Sequence, residues 1–265
     1  VALDGWIFAP PYDSASKVLV IDPSRNTSYL LPEDYGTGSR KYYTSAVALD
    51  GRIFSPPAST GASKVLVIDP SRNTSYLLPE DYGTGSSKYL TSAVVHDGRI
   101  FAPPYHTGAS KVLVIDPSRN MSYLLPEDYG TGLHKYFTSA VALDGRIFAP
   151  PSGTGASKVL VIDPSRNTSY LLPEDYGVGG AKYSTSAVAL DGRIFAPPYH
   201  TGASKVLVID PGTTLAPTDS PTLAPSTVPT TLGPVTLSPS TQGPTTRSPS
   251  TLSPPFIISG HWYLL

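Results

Sequence analysis

Along residues 1–211, short runs of apolar residues alternate with clusters of Gly, Pro, Asn, Asp and Ser, and no window shows the 3.6-residue period of a helix. The pattern predicts short strands. Residues 44–49 (Thr-Ser-Ala-Val-Ala-Leu) read as a first strand, followed by Asp50-Gly51, the signal of a tight hairpin whose turn needs positive φ. Residues 52–55 return as a second strand, which Pro56-Pro57 stops because proline cannot donate to a ladder. Residues 64–69 (Lys-Val-Leu-Val-Ile-Asp) form a third strand, and the unbroken aliphatic run predicts burial on both faces. Residues 70–73 (Pro-Ser-Arg-Asn) make a turn in which Asp69 accepts backbone N–H bonds, and residues 74–78 (Thr-Ser-Tyr-Leu-Leu) are a fourth strand. A loop with two glycines, residues 79–88, leads onward.

The same words recur. The lysine that opens the third strand stands at Lys17, Lys64, Lys111, Lys158 and Lys205, a constant spacing of 47 residues. Four short antiparallel strands in a module of about 45 residues describe one propeller blade, which predicts an all-β propeller array rather than a helical solenoid. An apolar strand ending in Asp-Gly, then Arg-Ile-Phe-Ala-Pro-Pro, Val-Leu-Val-Ile-Asp-Pro and Arg-Asn-Thr-Ser-Tyr-Leu-Leu-Pro, resembles the kelch family of propellers. The resemblance covers residues 1–211. It departs from the family where Pro10-Pro11 and its copies replace a diglycine, and where Tyr29, Tyr76, Tyr123 and Tyr170 stand one residue after the family's tryptophan position. The resemblance implies a blade fold and partner binding by loops on one face; it implies no particular ligand.

Copies one to four are expected to supply four strands each and the fifth only three, giving about five blades. Residues 212–255, built of Thr, Pro and Ser with almost no charge, cannot bury a core and read as an extended, disordered stalk resembling mucin-like spacers. Residues 256–265 form a short apolar segment whose Trp262-Tyr-Leu-Leu ending offers a closing strand. The chain begins Val1-Ala-Leu-Asp-Gly, which matches residues 47–51 in mid-repeat, so a truncated start is expected and a signal peptide is absent or lost with it.

Composition narrows the partners. The net charge is −1, which gives no electrostatic footprint for nucleic acid or an anionic membrane. No apolar run reaches the length of a membrane span, and the lack of cysteine excludes disulfides, iron–sulfur clusters and thiol catalysis. Each full copy holds a sequon, at Asn26, Asn73, Asn120 and Asn167, a candidate glycosylation site in a turn that favours asparagine for local reasons as well. Glu33-Asp34 recurs at 80–81, 127–128 and 174–175. Glycosidases use paired carboxylates, but they need two unlike environments, whereas repeated copies give like ones; a solvated loop is the plainer reading, with calcium binding as the alternative. Asp22, Asp69, Asp116, Asp163 and Asp210 read as turn caps. His96, His106, His134 and His200 have no local zinc spacing, and no nucleophile elbow, phosphate loop or dinucleotide fingerprint is present. No catalytic residue, metal or cofactor is therefore assigned.

Comparison of the copies with one another locates the variation. The Asp-Gly and Pro-Ser-Arg-Asn turns are nearly constant, whereas the loop between second and third strands and the loop between repeats change. In an up-down blade both emerge on one face. Candidate ligand-binding residues are Tyr12, Tyr105, His106, Tyr199 and His200 from the first loop, with Tyr43 and Phe137 from the second. Lys41, Lys88, Lys135 and Lys182 are expected to ring the channel mouth, with Tyr42, Tyr89, Tyr136 and Tyr183 either beside them or buried between blades. The leading expectation is a non-catalytic binding module for a protein or glycan, a monomeric propeller displayed extracellularly or at a cell surface. Like copies would make it multivalent. The alternatives are a carbohydrate-active enzyme with its site in the central channel, and a purely structural repeat domain.

Overall fold

The computed structural model describes residues 1–212; the predicted stalk and closing strand lie outside them, apart from Gly212. Five antiparallel sheets follow one another along the chain. Sheet 1 contains β1 (Ile7–Ala9), β2 (Leu19–Asp22) and β3 (Thr27–Leu30). Sheet 2 contains β4 (Ala46–Val47), β5 (Ile53–Ser55), β6 (Leu66–Asp69) and β7 (Thr74–Leu77). Sheet 3 repeats the set as β8 (Ala93–Val94), β9 (Ile100–Ala102), β10 (Leu113–Asp116) and β11 (Met121–Leu124). Sheet 4 comprises β12 (Ala140–Val141), β13 (Ile147–Ala149), β14 (Leu160–Asp163) and β15 (Thr168–Leu171), and sheet 5 comprises β16 (Ala187–Val188), β17 (Ile194–Ala196) and β18 (Leu207–Ile209). Strands pair in chain order within each sheet. The first strands β4, β8, β12 and β16 lie beside one another at one edge of the array.

One expected strand is missing: sheet 1 has three, not four. Only Val1, Ala2 and Leu3 stand where the first strand should be, and they keep just its hairpin bonds, Ala2 N–H to Trp6 O and Gly5 N–H to Ala2 O. The Asp-Gly turn is not a two-residue loop with both φ positive: Ala48 N–H donates to Arg52 O, which leaves Leu49, Asp50 and Gly51 in a three-residue loop. Gly51 alone has positive φ (+85°), and its N–H closes a turn on Ala48 O. This is a turn followed by a left-handed glycine, which the missing Cβ makes inexpensive.

The third-strand run is buried on both faces in the middle of the array, as its composition predicts. Every residue of β6, β10 and β14 is buried. Alternation sorts the side chains into two faces. One face of each sheet offers Phe and two Val, and it packs on the Ile, Leu and Ile of the next. Phe54, Val65 and Val67 thus meet Ile100, Leu113 and Ile115 between sheets 2 and 3. The same set recurs between sheets 1 and 2, 3 and 4, and 4 and 5. Tyr42, Tyr89, Tyr136 and Tyr183 are buried in these layers, one in each.

Polar ties reinforce each layer. Arg52 donates to Pro117 O (2.5 Å) and Asn120 Oδ1 (2.9 Å) in the following sheet, and Arg99 makes the same bonds to Pro164 O (2.6 Å) and Asn167 Oδ1 (3.1 Å). Tyr29, Tyr76 and Tyr123 donate to Asn73, Asn120 and Asn167. These sequon asparagines, with Asn26, have φ between 52° and 54°, so they hold left-handed turns, and the amides of the last three also join sheets. The Glu-Asp pairs are likewise structural. Glu33 accepts from Ser75 of the next sheet (3.1 Å), while Asp34 accepts from Ser16 and from Gly36 N–H (both 2.8 Å). The aspartates before proline cap the following turn, as in Asp69 accepting from Ser71 and Arg72.

Candidate functional site: an aromatic cluster on the loop face

The two variable loops do share a face, and backbone hydrogen bonds weave them together. Lys41 N–H donates to Tyr12 O, Ala58 N–H to Lys41 O, Lys88 N–H to Ala58 O, and Tyr105 N–H to Lys88 O. The alternation continues through Lys135, Ser152 and Lys182 to Tyr199. A single belt therefore crosses all five sheets, with a repeat-joining loop and a second-to-third-strand loop contributing alternately. Glycine permits the close approach: a Cβ on Gly108 would lie 2.5 Å from Ser86 O, and one on Gly85 would lie 2.6 Å from Gly108 Cα.

The lysines of this belt do not ring a channel mouth. Lys41, Lys88, Lys135 and Lys182 have no exposed surface at all. Each turns its ammonium back onto loop carbonyls: Lys88 Nζ donates to Ser59 O (2.9 Å) and Gly85 O (3.0 Å), and Lys135 Nζ to His106 O (2.9 Å) and Gly132 O (3.1 Å). A buried charge needs such partners, and three donors on a flexible stem suit carbonyls that converge in a loop. Burial pushes the Lys88 and Lys135 ammonium groups down to about 8. Their constancy across copies reflects this internal role.

Around each lysine stand the positions that vary. Arg40, Ser87, His134 and Ala181 precede it, all with φ between 50° and 54°, a region L side chains enter at a cost. Tyr43, Leu90, Phe137 and Ser184 follow two residues after it. In the loop between second and third strands the belt position is held by Tyr12, Ala58, Tyr105, Ser152 and Tyr199.

Aromatic rings from three of these sets meet although they come from different sheets. Tyr12 lies edge-on to Tyr43 at 6.0 Å, Tyr43 edge-on to Phe137 at 6.5 Å, and Phe137 edge-on to Tyr105 at 5.6 Å between centroids. Tyr105 stacks on His134 at 5.3 Å, and His134 lies 4.9 Å from His106. Edge-to-face and stacked pairs at these spacings are favourable beyond simple burial. A cavity of about 140 Å³ opens among Tyr12, Arg40, Tyr43, Leu90, Tyr105 and His134, and a second of about 340 Å³ lies between Tyr12, Tyr43 and Ser45. Tyr12 and Tyr43 remain exposed. Burial, with His134 and Lys135 close by, holds the His106 imidazole below its ordinary value.

Of the sequence-derived candidates, Tyr12, Tyr43, Tyr105, His106 and Phe137 thus come together. Tyr199 and His200 do not: exposed on sheet 5, they face each other at 6.5 Å. Arg40, Leu90 and His134 belong with the cluster and were not expected in it; their signal was the change from copy to copy at 40, 87, 134 and 181 and at 43, 90, 137 and 184.

The opposite face holds two larger hollows, each of about 390 Å³, lined by the Asp-Gly and Pro-Ser-Arg turns. They are walled by ion pairs already satisfied within the fold, such as Arg72 with Asp69 and Arg166 with Asp163. Among the described residues, no group of three or more His, Asp or Glu is placed to hold a metal ion, and no helix is long and apolar enough to cross a membrane.

The sequence matches no family model, and no curated protein matches it. Solved structures do match. The extracellular domain of a B. thetaiotaomicron protein, BT4673, appears twice, described once as a one-component system and once as a hybrid two-component system. The TM-scores are 0.50 and 0.52, with 9% and 12% identity over 78% and 74% of this chain. The likeness is one of fold. The extracellular domain of a second hybrid two-component system from that organism, BT3049, matches over 74% of this chain at 9% identity with a TM-score of 0.46. This chain spans about a quarter of the length of these structures, 26%, 25% and 24%.

Proposed function

We propose that this chain is a non-catalytic binding module, a kelch-like propeller array whose loop face takes a glycan or protein ligand at the Tyr12–Tyr43–Phe137–Tyr105 cluster. The observation that carries the reading is the gathering of four aromatic side chains, with His106 and His134, from loops of different sheets around an open cavity. Rings that keep an exposed edge or face suit a partner with flat apolar surfaces, such as a sugar ring or an aromatic side chain, and the hydroxyls beside them supply directional bonds. The repeated carboxylates support a non-catalytic role, because Glu33, Glu80 and Glu127 accept from serines of the next sheet and Asp34, Asp81, Asp128 and Asp175 accept from serines within their own repeat. Display outside the cell fits the Thr/Pro/Ser-rich residues 212–255 and the shared fold of the extracellular domains.

Glycan arrays and a displayed peptide library, each probed with the wild type and with Tyr105→Ala and Phe137→Ala, test the reading. Binders should emerge from one collection, and each substitution should weaken them at least about tenfold, as loss of an aromatic anchor does. Binders unaffected by both substitutions would place recognition elsewhere; none in either collection would remove the proposal.

A further inference from the structure

Every other arginine of residues 1–212 forms an ion pair with an aspartate two or three residues before it, as Arg52 does with Asp50 and Arg72 with Asp69. Arg40 is the exception. Among the described residues its guanidinium meets no carboxylate and makes no hydrogen bond, and it is exposed. It stands in the wall of the cavity of about 140 Å³, where Tyr12, Tyr43, Tyr105 and His134 supply rings and no Asp or Glu takes part. Nor does the fold need an arginine there. Ser87, His134 and Ala181 hold the same place in the other copies, on the same left-handed backbone. We infer that Arg40 is the anion-binding group of this pocket and that the ligand is an acidic glycan, a sugar ring carrying a carboxylate (a hexuronate).

The inference rests on the proposed binding site and names the ligand's chemistry. A guanidinium presents a planar fork of donors that matches a carboxylate in two parallel bonds, and the rings beside Arg40 offer the flat surfaces on which the apolar face of a sugar lies. The charges nearby do not oppose an anion. Ser59, also in the wall, carries the buried Lys88 ammonium on its carbonyl at 2.9 Å, and the charge of Asp13, next to Tyr12 in the chain, acts on the buried Lys41. Hydroxyls complete the set. Ser59 Oγ accepts from Ser87 N–H at 3.4 Å, which leaves its own O–H to donate, and Ser87 lines the same cavity. An acidic peptide is the poorer fit, because the N–H and carbonyl groups of the belt bond to one another and present no free strand edge for an extended chain.

Calorimetric titration of the full 265-residue chain with oligosaccharides of galacturonate, glucuronate and mannuronate, each as the free acid and as its methyl ester, tests it. At least one acid should bind. Its ester, with the same rings and no charge, should bind at least about tenfold more weakly, and added salt should weaken the acid alone. Arg40→Ser should abolish the preference for the acid and leave the ester unchanged; serine already stands at the equivalent position 87, and circular dichroism should show an unaltered fold. Tyr105→Ala should weaken both forms. Equal binding of acid and ester overturns the inference, as does a preference that survives Arg40→Ser. So does a protein that binds no hexuronate, or that binds only sulfated sugars or an acidic peptide. A neutral sugar or a peptide lost with Tyr105→Ala but kept by Arg40→Ser would leave the binding module standing and remove the acidic ligand alone.

Discussion

Lys88 donates from a fully buried ammonium to Ser59 O and Gly85 O, so methionine in its place would leave two buried carbonyls without donors. An unpaired buried group costs about 1–3 kcal/mol, and Lys88→Met should lower unfolding stability by at least that in urea titrations. The pH dependence has a definite sign. The folded Lys88 gives up its proton near 8 and the unfolded one near 10.5, so between those values the unfolded chain holds more protons and rising pH favours the folded state. Subtracting the Lys88→Met profile from the wild-type profile should therefore show a wild-type gain between pH 8 and 10; a flat or falling difference would refute it. Ser55 presents the opposite case. Its hydroxyl is buried and has no hydrogen-bond partner, while alanine occupies the same place at 9, 102, 149 and 196. Ser55→Ala should stabilise by about 1 kcal/mol, read as a higher midpoint with an unchanged slope.

At the level of strands and loops, Arg99 and Arg193 form a natural comparison. Both follow an Asp-Gly turn, pair with the aspartate two residues before and lie over a phenylalanine at 5.3 Å. Only Arg99 also reaches the next sheet. Arg99→Ala should cost about 2–3 kcal/mol, the range of charge-assisted bonds, and Arg193→Ala in dilute solution under about 1 kcal/mol, as for an exposed pair. Equal losses would mean that the inter-sheet bonds contribute nothing. This difference was hidden in the sequence, where the two arginines sit in the same words. The strands were legible, because proline pairs, Asp-Gly and unbroken Val-Leu-Val-Ile runs each act through local sterics or burial. The loop face was legible only in part. Variation among copies pointed to Tyr105 and His106, but the meeting of Tyr43 with Phe137 spans two repeats, and no local rule brings them together. Lys88 misled because a lysine in a polar loop ordinarily faces water; the carbonyls that bury it converge only when two loops are joined by the belt. Likewise, the left-handed backbone at Arg40 and His134 has no signature in those side chains.

Across residues 1–212 each apolar layer lies between two adjacent sheets, so apart from the aromatic contacts on the loop face stability should be distributed as in other repeat arrays, as the sum of units and shared interfaces. Sheet 3 has both faces covered and all of β10 buried, whereas β3 is exposed throughout and β16 is exposed at both residues. Opening either end breaks one interface; opening the middle breaks two. Native-state hydrogen exchange should accordingly be slowest in β9 and β10, intermediate in sheets 2 and 4, and fastest in β3 and β16, with opening free energies that step down toward both ends. Uniform protection from β1 to β18 would instead mean that the array opens as one unit.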